Sequence, residues 1–252
     1  MYSNSINDAT RSVTVLFGTA RSSFALSLND PIAQQRYTQL CYSIGSPYGI
    51  ETPLVVLDQI HSTQGHHITT PLLQHYQPRT LIGDYAITTL PFVPLGVLTA
   101  DCVPLFIYDP HHAAIAAVHV GWRGALNNII PLVLQHMHVL YRSEPGSLRV
   151  WIGPSARICC YEIAEPVLGM LQERSTTYPR IRLYEGRWYA DFAAYSVQTL
   201  REAGIAHKSI TISPTCTICS LDYYSHRREP QSRMRQISYI MLKNTDITGT
   251  YS

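Results

Sequence analysis

Apolar positions along the chain fall into two periods that alternate from the N-terminal third to the C-terminus. Residues 12–19 (SVTVLFGT) alternate with period two, which predicts a strand. Residues 31–44 open on Pro31 and repeat their apolar positions at helical spacing, which predicts a helix. LVVLDQIH (54–61) reads as a strand that ends on His61. The densest β pattern is central, with strands expected at 84–90, 95–99, 103–108 and 113–120 and a turn at Asp109-Pro110. Gly121 closes the last of these, and 122–140 reads as a helix whose start Pro131 kinks or shortens. LRVWIG (148–153) is a further strand. Glu165-Pro166 opens a second helix, and Asp191 caps a third that runs to Gly204. ITIS (210–213) and ISYIML (237–242) are closing strands. Strands alternating with helices predict the α/β class, and consecutive central strands predict a mixed sheet flanked by helices. The pattern shows no repeat, linker or low-complexity segment, so 1–252 reads as one domain with 1–11 as a frayed end.

Bulk composition narrows the functional classes. A chain of 252 residues buries roughly 75% of its unfolded surface, so it needs no disulfide staples. Net charge is +2, and charged residues make up only 14% of the chain. No basic stripe or block marks a nucleic-acid or membrane-surface partner. The polar start MYSNSINDATRSV lacks a signal peptide's apolar stretch, and no apolar run reaches membrane-spanning length. Six cysteines in a chain of this kind are expected to be reduced thiols in the cytoplasm.

Three segments carry candidate chemistry: Asp58-Gln59-Ile60-His61, Thr99-Ala100-Asp101-Cys102 and His119-Val120-Gly121-Trp122-Arg123-Gly124. Each puts a nitrogen or sulfur donor at the end of an expected strand, where rigid scaffolds present reactive groups. Two imidazoles and one thiolate form a three-ligand zinc set that leaves a fourth position open. Taken singly, each histidine would equally serve as a hydrogen-bonded core residue, and Cys102 as a small buried hydrophobe. Cys102 and His119 also suit a nucleophile and its base in a hydrolase or amidase.

These segments, in this order, resemble the laccase-domain family of YfiH-type proteins, whose members carry the names polyphenol oxidase and purine nucleoside phosphorylase. The resemblance extends to Gly83-Asp84-Tyr85-Ala86-Ile87-Thr88, Ile152-Gly153-Pro154-Ser155, Tyr161-Glu162, Asp191-Phe192 and Tyr224-Ser225-His226-Arg227-Arg228-Glu229. It implies one α/β domain with a site in a cleft, and zinc held by His61, Cys102 and His119. It further implies phosphorolysis of adenosine, inosine or guanosine, and of methylthioadenosine in some members, together with adenosine deamination. The expected partners are therefore a small nucleoside and phosphate. The chain departs from the family at Thr19-Ala20-Arg21-Ser22-Ser23, at Gln35-Arg36 and at Val120.

Side-chain chemistry suggests roles for further residues. Asp101 is a candidate proton shuttle, with a turn or capping carboxylate as the alternative. Arg36, Arg123 and Arg227 are candidate phosphate ligands, because a guanidinium fork binds phosphate bidentately. Arg123 ranks first, four residues after His119 in a tight turn into a helix. The competing copper reading, a polyphenol oxidase, needs many paired His-x-His elements. The chain has one, His136-Met137-His138, and on a helix residues two apart do not share a face. Cys216-x-x-Cys219 suits half a metal site or a redox pair but lacks a second ligand pair of suitable spacing, and Cys159-Cys160 reads as core packing.

Overall fold

A computed structural model describes residues 6–7, 13–20, 23–25, 31–45, 53–174 and 181–243. The first half contains β1 (Ile6–Asn7), β2 (Val13–Leu16), β3 (Ser23–Ala25), α1 (Pro31–Gly45), β4 (Val55–Val56), β5 (Gly65–His67) and α2 (Thr70–Leu73). The central run is β6 (Tyr85–Thr88), β7 (Leu95–Thr99), β8 (Val103–Asp109), β9 (Ala114–Val120), α3 (Trp122–Leu126), α4 (Ile129–Tyr141) and β10 (Arg149–Ile152). The chain continues through β11 (Glu162–Ile163), α5 (Val167–Arg174), β12 (Ile181–Tyr184), β13 (Arg187–Ala190), α6 (Phe192–Glu202), β14 (Ile210–Ile212) and β15 (Met234–Leu242).

The expected mixed α/β architecture is present, but its strands are divided among three sheets. One runs β1-β2-β15-β7-β4 with β3 also on β15, the second runs β14-β10-β8-β9-β6-β5, and the third is β11-β13-β12. The two larger sheets each mix parallel and antiparallel pairs. Period-two alternation makes them stack. On β8, Phe106 and Tyr108 join Val15, Leu95, Val97 and Ile240 in a core between the sheets. Val103, Leu105 and Ile107 point the other way, onto α3, α4 and α6. A third core packs Ile44 of α1 on Leu98, Ile237 and Met241. The result is a helix–sheet–sheet–helix sandwich in which β8 and β9 are buried on both faces, so they read as continuous apolar runs. Each fully buried Phe, Leu or Ile there contributes about 1.5–3 kcal/mol relative to exposure.

Three expected elements differ. The strand at 54–61 stops at Val56, because Gln59 turns its amide onto Leu98 in both directions and His61 adopts a left-handed φ of 60°. The helix at 122–140 is two helices, α3 and α4, parted at Asn127–Asn128, with Asn128 at φ 63°. Pro131 falls in the first turn of α4, where its missing N–H has no intrahelical partner to lose. Of the expected frayed end, Ile6–Asn7 pair with β2, and the rest of 1–11 lies outside the described residues. Asp191 caps α6 as expected, its Oδ1 accepting from the Ala194 N–H at 2.9 Å. Among the described residues no helix is long and apolar enough to cross a membrane.

Candidate metal centre

The three donor segments meet where β8 and β9 leave the second sheet. His119 shares its parity on β9 with Ile115 and Ala117, which face the first sheet. Cys102 immediately precedes β8, and Pro104 pairs in register with His119. His61 arrives from the loop after β4. Its Nε2 lies 3.7 Å from Cys102 Sγ, and the rings of His61 and His119 are 4.8 Å apart at 80°. One donor atom from each of the three residues lies within 4.8 Å of the others.

A residue that sequence reasoning left without a role holds this arrangement. Asp84 is 1% exposed and accepts from His119 Nδ1 at 2.8 Å, His61 N at 3.0 Å, Ser62 N at 2.6 Å and Ser62 Oγ at 2.7 Å. It fixes the His119 ring with Nδ1–H toward the carboxylate, leaving Nε2 for Cys102 or an ion. Its bonds to the His61 and Ser62 amides offset the cost, about 1–3 kcal/mol, of the left-handed backbone at His61. The sequence did carry a signal for it: an acid placed just before the buried strand β6 needs a donor partner.

The charges reinforce one another. Burial pushes the Asp84 carboxyl up, but hydrogen bonds and charge from His119, then Ser62, outweigh it and hold it below the usual range. Burial also pushes the Cys102 thiol up, yet His119 and then His61 draw it down to about 6. Burial lowers His119, while Cys102 and Asp84 raise it to about 9. A ready thiolate, an imidazole oriented by a buried carboxylate and a second imidazole fit a divalent ion of borderline softness. Gly121 completes the cradle: a Cβ there would come within 2.6 Å of His61 Cδ2 and 3.5 Å of Cys102 Sγ. This close approach explains the glycine between His119 and the helix α3.

The centre opens into a cavity of about 480 Å³, within the range of small-molecule sites. Arg123 and Arg227 line it, as do Arg235, Tyr161 and His226, whose roles the sequence did not reveal. Arg123 is exposed, lies 4.4 Å over the Trp122 ring and pairs with no carboxylate among the described residues. Arg227 lies 4.7 Å over the Tyr161 ring and donates from Nη1 to the Glu162 carbonyl at 2.8 Å. Arg36 sits on α1, and its side chain lies outside the described residues.

Asp101 is buried beside the centre at φ 86°. Its carboxylate accepts from Thr217 Oγ1 at 2.7 Å, Ser225 Oγ at 3.0 Å and Arg227 N at 2.7 Å. These bonds tie Asp101 to the 217–227 loop, whose His226 and Arg227 line the cavity. His136 pairs with Tyr85 Oη at 3.1 Å, while His138 faces the Ser143 carbonyl at 3.2 Å, so the His-x-His side chains diverge.

Over residues 29–243 the chain matches the family described as multi-copper polyphenol oxidoreductase laccase, and it belongs to that family. It is 34% identical over 166 residues to a purine nucleoside phosphorylase of Clostridium acetobutylicum, covering 65% of this chain and 68% of that one. It is 31% identical over 201 residues to a purine nucleoside phosphorylase of Bacteroides thetaiotaomicron, covering 77% and 74%. The fold is shared with the protein YfiH of Bacillus licheniformis, at a TM-score of 0.81, 24% identity and coverage of 95% and 96%. YlmD of Geobacillus stearothermophilus gives a TM-score of 0.80 at 21% identity, covering 92% and 93%.

Proposed function

We propose that this chain is a zinc-dependent purine nucleoside phosphorylase that also deaminates adenosine. The carrying observation is that His61, Cys102 and His119 converge at one wall of a cavity whose other walls hold Arg123, Arg227, Arg235, Tyr161 and Phe192. The names of the relatives in Clostridium and Bacteroides support the same reading. Zinc held by the three donors would supply a Lewis acid able to polarise an oxygen or lower the pKa of bound water.

The chain's own side chains supply the rest. Guanidinium groups bind a phosphate dianion, and Arg123, paired with no carboxylate among the described residues and lying over the Trp122 ring, is the first choice for it. Arg227 and Arg235 add positive charge across the cavity, and Arg36 is kept as a further phosphate ligand on the sequence alone. Tyr161 and Phe192, 6.0 Å apart edge to face, give a purine an aromatic wall. The sequence leaves Asp101 as a proton shuttle or a turn or capping carboxylate. With three donors on its two oxygens, its contacts favour a positioning role, holding the Arg227 loop in place. Asp101→Asn separates the two: a positioning role raises KM more than it lowers kcat, whereas a relay changes the pH profile of kcat.

Zinc is favoured over copper by the ligands at hand. Among the described residues, the two groups of donors are this one and an all-cysteine cluster, and neither offers the histidine-rich set of a multicopper centre. One observation favours a second reading. Cys102, His119 and Asp84 stand in the order nucleophile, base and orienting carboxylate, the arrangement of a cysteine hydrolase.

Arg123→Ala tests the phosphate assignment. Losing a charged hydrogen bond costs about 1.5–3 kcal/mol, or roughly ten- to a hundred-and-fifty-fold in rate. Phosphorolysis should fall by that factor with zinc content unchanged and adenosine deamination less affected. Equal loss of both activities would remove Arg123 from the phosphate site.

A further inference from the structure

We propose that Cys159, Cys160, Cys216 and Cys219 bind a second, structural zinc ion that clamps together the two loops walling the cavity. This inference does not rest on the nucleoside reading. Sequence spacing suggested that Cys216-x-x-Cys219 had no partner pair and that Cys159-Cys160 was core packing. The structure corrects both points: Cys159 and Cys219 are exposed, and all four Sγ atoms lie within 4.8 Å of one another. The pairs were hidden because they come from separate turns, at 158–160 after β10 and at 217–219 after β14. Those strands run side by side in parallel, and a bridge between Ser155 and Cys216 extends their pairing.

The geometry suits a tetrahedral thiolate site. Cys160 Sγ lies 2.9 Å and Cys159 Sγ 3.5 Å from Cys219 Sγ. Four sulfurs at about 2.3 Å from a zinc ion stand roughly 3.8 Å apart, so sub-ångström to ångström shifts of side chains on exposed turns seat the ion. Four protein ligands leave no open position, which is the mark of a structural site. Donor groups lie against the Cys216 side of the cluster. The backbone N–H groups of Cys219, Arg157 and Ile218 donate to Cys216. Arg228 Nη1 donates to the carbonyls of Thr217, Ile218 and Ser220 at 2.8, 3.1 and 3.2 Å, which places a positive charge against the turn. On binding, the thiols release their protons to solvent and the ion gains their lone pairs, with no change of oxidation state.

The clamp would act on the cavity through its neighbours. Tyr161 follows Cys160 directly and lines the cavity. Thr217, between the other two cysteines, bonds to Asp101, and the same loop carries His226 and Arg227 into the cavity.

The test is zinc per chain in protein purified under reducing conditions, for wild type, Cys219→Ser, Cys219→His and Cys102→Ala. With both sites filled, wild type holds about two, and Cys219→Ser and Cys102→Ala about one each, while Cys219→His stays near two because zinc accepts a Cys3His set. If the His61 site holds no zinc, wild type and Cys102→Ala hold about one and Cys219→Ser about none, which fails that reading and leaves this one standing. Equal zinc in wild type and Cys219→Ser overturns the proposal. Wild-type protein alone gives an independent check. Peptide mapping should find the four thiols protected from alkylation until a chelator is added. Immediate alkylation of all four in zinc-replete protein, or a Cys160–Cys219 disulfide in their place, overturns it.

Discussion

At the cavity, the two imidazole donors of a mixed set are fixed by protein. Asp84 orients His119 and ties down the backbone of His61, and Gly121 makes room for the His61 ring. At the paired turns, four identical thiols meet with two of them exposed, and the nearest support is backbone amides and the Arg228 guanidinium. The first cluster is three-sided and opens on a cavity of about 480 Å³. The second offers four thiols and no open side. A buried support that outlasts ligand exchange belongs with chemistry, while a cluster on turns whose loops reach the cavity belongs with architecture. The two should therefore respond differently to the same kind of damage.

The largest effect should come from removing the thiolate at the open site. Cys102→Ala should lose all zinc there and nucleoside turnover with it, a greater loss than the about 10–100-fold that a supporting residue costs. Zinc at the four-cysteine cluster should be unchanged, and loss of both ions together, measured by elemental analysis, would merge the two sites into one folding unit.

Next comes the carboxylate. Asp84→Asn keeps the shape but removes the charge that orients His119, so zinc affinity at that centre should fall about 10–100-fold. Competition with a chromophoric chelator measures it, and an unchanged affinity would reduce Asp84 to a packing role. Gly121→Ala should weaken the same affinity about tenfold by displacing the His61 ring, since its Cβ would fall 2.6 Å from Cδ2. A crystal structure of the variant with His61 unmoved would contradict this.

The smallest effect is on reactivity. With zinc stripped, Cys102 is drawn down to about 6, so it is a thiolate above that pH and a thiol below it. Its alkylation rate should rise through a midpoint near 6. Burial and its neighbours instead push Cys159 up to about 11, so its alkylation should still be climbing at alkaline pH. A shared midpoint for the two would erase the contrast.

Legibility in the sequence followed the range of the forces involved. The strands expected at 103–108 and 113–120 were readable because burial on both faces leaves them apolar apart from His119, and the Asp191 cap because it acts within one turn. The three donors were legible as segments, and the family resemblance joined them. Long-range partners were not. Asp84 gains its meaning from a histidine 35 positions away, and the cysteine pairs meet only because β10 and β14 are adjacent. The hairpin of β12 and β13 went unread although Glu185 and Gly186, at φ 48° and 74°, form the left-handed pair such turns require. Its strands are largely exposed, so they carry little apolar alternation.

The most direct test of the central claim is ribose-1-phosphate formation from inosine by zinc-replete wild type and Cys102→Ala, followed as phosphate is varied. A zinc-dependent phosphorylase gives a wild-type rate that rises with phosphate and saturates, and a Cys102→Ala rate near background. Zinc-replete wild type that releases no ribose-1-phosphate at any phosphate concentration would contradict it and promote the Cys102–His119–Asp84 hydrolase reading.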